Sequence, residues 1–324
     1  PHPTMPASSD VFLVTGGARG ITPLCVVEMA RQAPGSTFLL MGRSKRVAEP
    51  AWAVGKATGK PLEDAALAFL KAEFAAGRGE KPTPKAMKGL VAGVEGSREV
   101  TESLAAIEAA GGKAEYVAAD VSDASAVARA IAGKRITGVI HASGVLRDKF
   151  IQNKTLEDFE AVYGTKVTGL RAVLTAIPPN TLRHLVVFSS LAGFHGNKGQ
   201  ADYAMANEVL NKSAHLIASR FPACRARALD FGPWGGGMVT PALQKMFEDQ
   251  GVEIIPRAGG AVTVARVLTD TTPTQALFGN WGIPPVKLDR TVVVHRDCSF
   301  AKQDNKFLDA HMIKGKRVVP FTMM

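Results

Sequence analysis

No run of eighteen or more apolar residues occurs in this chain, so the sequence offers no membrane span. The opening residues, PHPTMPASSD, lack a basic stretch followed by an apolar one, which argues against a secretory signal. Cysteine is scarce. Cys25, Cys224 and Cys298 lie far apart, which excludes a disulfide framework and a Cys-based zinc site. Reduced thiols fit the cytoplasm. The seven histidines form no close ligand pair, so no metal is expected. Zinc-finger spacing, aromatic RNA-binding signatures and long Lys/Arg runs are also missing, so the formal charge of +10 does not point to nucleic acid. Solubility accounts for such a charge, and a negatively charged cofactor or an acidic protein partner would also be attracted by it.

What is present is an alternation of apolar strands and helical patterns. DVFLVTGGARGIT reads as strand, tight turn and helix, the helix starting at Thr22. STFLLMGRS is a second strand ending at Arg43 and Ser44, and AEYVAAD a third ending at Asp120. TGVIHASG, HLVVFSS and RARALDFGPW supply three more, ending near Gly144, Ser190 and Pro233. Nearly continuous apolar strands separated by helices argue an α/β fold of Rossmann type, a doubly wound parallel sheet covered on both faces. The interval from Arg43 to Glu115 exceeds the roughly 30 residues of a strand-helix-strand unit. Residues 47–94 are therefore read as a mainly helical insertion after the second strand, at the sheet edge, with packing or docking as its role. Ser97 and the acids after it are expected to cap the helix leading into the third strand. After Trp281, GIPPVKLDR reads as a linker. The expected domain thus spans residues 1–283, with 284–324 too short to form a core.

Gly16, Gly17 and Gly20 directly follow the first strand. Glycine lets the backbone approach a pyrophosphate, and the next helix presents free amides to it. The second strand ends in Gly42-Arg43-Ser44, with no acid to bind a ribose 2′-hydroxyl. Arg43 can fork onto a 2′-phosphate, Ser44 can add a hydroxyl, and Arg19 can assist, so NADPH is the expected cofactor.

The segment FSSLAGFHGNKGQADYAMAN resembles the active-site segment of ketoreductase domains in modular polyketide synthases and related fatty-acid synthases, which are short-chain dehydrogenases. Most free members of that superfamily carry Tyr-x-x-x-Lys on one helix. The synthase ketoreductases instead resemble this chain, with Tyr203 and Asn207 four apart and a lysine on the preceding helix, here Lys166 of TKVTG. The resemblance covers residues 10–283. Its implied chemistry suits the residue types. Ketone reduction needs a proton at oxygen, which Tyr203 would donate; a phenol near pKa 10 gives it up only to a developing alkoxide. Lys166 would stabilise the phenolate and hold the nicotinamide ribose, Ser190 would donate to the carbonyl oxygen, and Asn207 would orient a water or the lysine. The resemblance also implies cofactor contacts from Ile21, Asp120, Val121, Ala142, Ser143, Gly144 and Pro233, with Asp120 accepting from adenine and Val121 covering the ring. His141 is read as a core histidine.

EKPTPKAMKGLV and FGPWGGGMVTPALQKMFEDQGVEIIP narrow the resemblance to the ketoreductase region of polyunsaturated fatty-acid synthases, where the segment follows tandem acyl-carrier domains. The implied partners are an acyl-carrier protein bearing a 3-ketoacyl chain and neighbouring synthase domains. His311, Gly315 and Pro320 repeat the spacing that opens dehydratase-like hot-dog domains, of which 284–324 would be an incomplete fragment. Those ketoreductases that give 3R alcohols carry a Leu-Asp-Asp loop. Here it reads Leu146-Arg147-Asp148, and no tryptophan lies between Ser190 and Tyr203 as in the opposite-handed class. Asp148, with Met238 in a lid over residues 238–247, is the expected stereocontrol, and 3R the expected product. Two other readings stand beside this one: a free-standing dehydrogenase on small ketones or alcohols, and a catalytically silent scaffold.

Overall fold

The computed structural model describes residues 6–236, 241–249 (the backbone alone at 241 and 242) and 251–279, together with the backbone of 312–313 and 316–317. Seven parallel strands form one sheet: β1 (Val11–Thr15), β2 (Thr37–Gly42), β3 (Lys113–Ala118), β4 (Gly138–His141), β5 (His184–Ser190), β6 (Arg225–Phe231) and β7 (Gln275–Phe278), in the order β3-β2-β1-β4-β5-β6-β7. This is the doubly wound Rossmann-type sheet the sequence predicts. The six predicted strands are all present, and β7 is an edge strand the pattern did not reveal.

Alternation along each strand feeds two cores. Phe12, Val14, Phe38, Leu40, Val186 and Phe188 pack to one face, beneath α1 (Thr22–Gln32), α3 (Pro84–Ala109) and α10 (Arg257–Arg266). Leu13, Leu39, Val139, Leu185 and Val187 pack to the other, beneath α4 (Ala124–Ala130), α6 (Gly169–Ala176) and α8 (Ala201–Arg220). Between β1 and β4 the chain order reverses, which opens a crevice at the carboxyl ends of those strands. Gly16 and the residues after β4 meet there. A Cβ at Gly16 would lie 2.9 Å from the Ala142 carbonyl oxygen and the Ser143 nitrogen.

The long interval after β2 folds as α2 (Lys60–Ala75) and the 26-residue α3. Ser97 is not a cap. It sits inside α3, donating to Gly93 O (2.9 Å) and accepting from Val47 N (3.1 Å). The helix starts instead at Thr83, whose hydroxyl accepts from Ala86 N, with Pro84 in its first turn. It stops at Ala110 before Gly111, whose φ of +95° suits glycine. Residue 94 therefore marks no boundary in the backbone. A small core of Ala53, Leu62, Ala66, Val91 and Val94 joins α2 to α3.

Downstream lie α5 (Leu156–Tyr163), continued by a π-helical turn (Gly164–Thr168) into α6, then α7 (Leu191–His195) and α9 (Pro241–Asp249). No described helix is long and apolar enough to cross a membrane. The chain divides into two compact units, Pro1–Gly282 and Ile283–Met324. In the second, Met312–Ile313 pairs antiparallel with Lys316–Arg317; His311, Gly315 and Pro320 lie outside the described residues.

Gly138 is where the central strands leave no room. The Phe12 ring lies across it, stacked on Phe38, and a Cβ at Gly138 would fall 2.2 Å from a Phe12 ring carbon. Gly138→Ala is expected to lower stability by roughly 1–3 kcal/mol through overpacking. Chemical denaturation checks this, and an unchanged midpoint would contradict it.

Candidate active site

Lys166, Ser190, Tyr203 and Asn207 come from three different local structures. Ser190 ends β5 and its hydroxyl accepts from Ala192 N at 3.1 Å, starting α7. Tyr203 stands in the first turn of α8, and Asn207 follows one turn later, donating from Nδ2 to Tyr203 O at 2.8 Å. Asn207 is fully buried and its Oδ1 has no protein partner. Gly193 lets α7 lie close to this turn, since a Cβ there would sit 2.8 Å from Asn207 Cβ. Lys166 projects from the π-helical turn. Its Nζ lies 5.4 Å from the Tyr203 ring centroid and donates to Phe188 O at 3.0 Å.

Electrostatics separate the two groups. Burial lowers the Lys166 ammonium to about 8. Burial pushes the Tyr203 phenol above its ordinary value; bonds from Asn207 and Ser190 act the other way, and the Asp148 charge adds to the rise. The Asp148 carboxylate accepts from Gln200 Nε2 at 2.9 Å.

His141 is a core histidine, fully buried, and it also acts on Lys166. Its Nδ1 lies 2.8 Å from Thr15 Oγ1 and its Nε2 lies 2.8 Å from Lys166 O. A carbonyl only accepts, so Nε2 carries the proton and Nδ1 accepts from the threonine. Burial, then the Lys166 charge, lowers His141 to about 4, so the ring is neutral. The end of β1, the end of β4 and the lysine-bearing turn are thereby tied together. No motif in the sequence advertises this link.

A cavity of about 100 Å³ lies beside the glycine loop. Gly16, Arg19, Arg43 and Ser44 line it, as the sequence reading expects, joined by Lys45, Arg46 and Tyr116. Helix α3 supplies a further wall through Gly96, Ser97 and Val100, and Arg19 is paired with Glu99 on the same helix. Tyr116 donates to Ser44 O at 2.5 Å, fixing the turn after β2. Gly20 has φ +74° and open space where a Cβ would stand, while Gly17 is pressed on Val14. A turn holding three glycines beside four cationic groups fits the phosphates of a dinucleotide.

The other expected cofactor residues lie outside this cavity. Ile21 precedes α1, and Ala142 N donates to Thr15 O at 3.1 Å just after β4, with Ser143 and Gly144 half-buried behind it. Asp120 accepts from Ser122 N and Oγ, which, with the Arg43 charge among lesser influences, holds its carboxyl below the usual range. Val121 is buried in the core against Gly169. Pro233 is buried, its carbonyl accepting from Ile255 N. Met238 lies outside the described residues.

The family model described as KR domain matches residues 10–236. The chain is 50% identical to a subunit of the polyunsaturated fatty acid synthase of Thraustochytrium sp. over 98% of its own length and 11% of the relative's. It is 31% identical to 6-methylsalicylic acid synthase of Penicillium terrestre over 56% of the chain and 10% of that protein. The chain thus spans about a tenth of these curated relatives. Among solved structures, it resembles a ketoreductase domain from the bacillaene assembly line (TM-score 0.59, 26% identity, 85% of this chain, 57% of that one). It also resembles a ketoreductase from the first module of phoslactomycin biosynthesis in Streptomyces (TM-score 0.60, 25% identity, 86% and 55%). Carrying the family's sheet, its glycine loop and a lysine, serine, tyrosine and asparagine gathered beside them, the chain belongs to the KR domain family and is a ketoreductase domain.

Proposed function

We propose that this domain reduces the 3-keto group of an acyl thioester carried on an acyl-carrier protein, using NADPH and giving the 3R-hydroxyacyl product. The observation that carries the reading is the meeting of Lys166 and Tyr203, from two separate helices, at the carboxyl end of β5. When bound, the reduced cofactor supplies hydride to the ketone carbon. The chain's own residues handle the oxygen. Ser190 donates a hydrogen bond to it, and Tyr203 transfers the phenolic proton as negative charge develops there. The Lys166 ammonium stabilises the phenolate left behind, and Asn207 orients the groups that return the proton. Gly16, Gly17, Gly20 and Ile21 receive the pyrophosphate; Asp120, Val121, Ala142, Ser143, Gly144 and Pro233 complete the cofactor contacts. The relative's name supports a synthase setting, and the thiols of Cys25 and Cys224 fit a reducing compartment such as the cytoplasm. The charge of +10 suits an acidic carrier. A free-standing dehydrogenase would favour small ketones over a carrier-bound substrate, and a silent scaffold would not turn over at all.

Arg43, Lys45 and Arg46 around one cavity favour a 2′-phosphate. NADPH should exceed NADH by at least about tenfold in kcat/KM, equivalent to about 1.4 kcal/mol. Arg43→Ala should remove most of that preference; equal use of both cofactors by the unaltered protein would rule the choice out.

For the chemistry, Tyr203→Phe should reduce kcat on the order of a hundredfold or more while NADPH still binds. Reduction should also weaken as pH rises through about 8, where the buried Lys166 loses its charge. The raised phenol of Tyr203 keeps its proton through that range, so the falling limb belongs to the lysine. Near-normal turnover by Tyr203→Phe would refute the assignment.

Handedness rests on Asp148, which stands near enough to influence Tyr203. With the segment around Met238 it would admit the acyl chain from one side. Chiral chromatography of the released product should show the 3R alcohol, and a predominantly 3S product would overturn this part of the reading.

A further inference from the structure

Residues 142–155, between β4 and α5, contain no regular structure except a 3-10 turn (Ile151–Asn153). Their outer surface is open to solvent, with Ile151 74% exposed. Yet the loop is fastened from beneath by an ammonium group taken almost out of water. The Lys154 side chain is 7% exposed and pairs at 2.8 Å with the carboxylate of Asp202, itself 1% exposed. The same Nζ donates to Arg147 O at 2.8 Å. The other oxygen of Asp202 accepts from Tyr203 N at 2.9 Å. A continuous polar path therefore runs from the backbone of Arg147, next to Asp148, to the backbone of the proposed proton donor.

Two further ties run alongside it. Lys149 N donates to Gly199 O at 2.9 Å, and Gln200 Nε2 donates to Asp148 Oδ2 at 2.9 Å. All three join the loop to the approach of α8, and only the lysine–aspartate pair is buried. A buried ion pair is a weak source of stability, because desolvating both charges offsets their attraction, but it is directional in a way apolar packing is not. We propose that Lys154 and Asp202 are positioning residues for face selection: they fix the 147–148 loop against the Tyr203 backbone, so that the ketone presents one face. This rests on the reductase reading given above.

The test uses the whole chain and a 3-ketoacyl thioester of N-acetylcysteamine. Lys154→Met/Asp202→Asn removes both charges together, so neither is left buried alone. Its product enantiomer ratio should fall at least about tenfold and KM should rise more than kcat falls, with NADPH affinity, read by fluorescence titration, within about twofold of the parent. A double variant with the parent's ratio would overturn the proposal, because a purely structural pair would change stability and leave the ratio untouched. Hydrogen exchange on the unaltered protein gives a readout independent of variant folding and of turnover. The Tyr203 amide should exchange at least about a hundredfold more slowly than in an unstructured peptide. Exchange at the free-peptide rate would overturn the clamp, whereas a parent inactive on every 3-ketoacyl thioester but protected at Tyr203 would overturn the reductase reading alone.

Discussion

Lys166 carries its ammonium into the interior, where burial alone takes its pKa down to about 8 and its Nζ donates to the Phe188 carbonyl on β5. A charge held there without full pairing is costly, so its backbone must be held firmly enough that the side chain does not swing out to water. Two features do this. The helix from α5 into α6 widens by a π-helical turn at residues 164–168, which changes the direction in which residue 166 projects. His141 then bonds the carbonyl of that residue, backed by Thr15. Gly169 allows the close fit, since a Cβ there would stand 3.0 Å from Val121 and 3.4 Å from the His141 ring. The lysine is thus mechanically linked to the end of β1, one residue before Gly16, so the lysine-bearing turn and the glycine loop share a support.

The parts of this arrangement that could be read in advance are those with local signatures. Strands β1, β2, β4 and β5 stand out because each carries an apolar run buried on both faces. Strand β7 did not, because its four residues, QALF, are only partly buried at an edge and carry no period. Ser97 followed by acids imitates a helix start, while Thr83-Pro84 carries the real one; the local chemistry of both is plausible, and tertiary contact with Val47 decided between them. Lys166, Ser190, Tyr203 and Asn207 were legible through a family pattern. His141, Lys154 and Asp202 were not, because each acts through a partner 25 to 126 positions distant. A residue's type and spacing say little about which distant carbonyl it will meet.

The insertion changes meaning once α3 is seen as one helix. Its second half belongs to the sheet, packing on β3 and α1, and its middle turns face the cavity beside the glycine loop. Gly96 leaves room for the Arg19 guanidinium, since a Cβ there would stand 3.3 Å from its nearest nitrogen, and Glu99 holds that guanidinium from the next turn. Arg19 therefore reaches the cavity already tethered. The extra chain after β2 thus both packs on the sheet and walls the cavity where the second strand's Arg43 and Ser44 lie.

Behind Ser190 and Asn207 polar contacts lie beside the apolar core that packs α8 on the sheet. Asp230, fully buried on β6, has its carboxyl raised chiefly by burial and accepts from Gln275 Nε2 at 2.7 Å. Ser189 donates to Asn207 O at 3.2 Å, seating the turn of α8 that carries Tyr203 and Asn207 on the neighbouring strand. Apolar packing would hold α8 against the sheet with tolerance for sliding, since it is non-directional. Hydrogen bonds of fixed length do not permit a slip by one residue without leaving buried acceptors unpaired. Gln275 comes from β7, so the short edge strand that the sequence concealed supplies a donor for Asp230. The register of the helix bearing Tyr203 is consequently set from two sides: from the sheet through Ser189, and from the solvent-facing loop through Lys154 and Asp202.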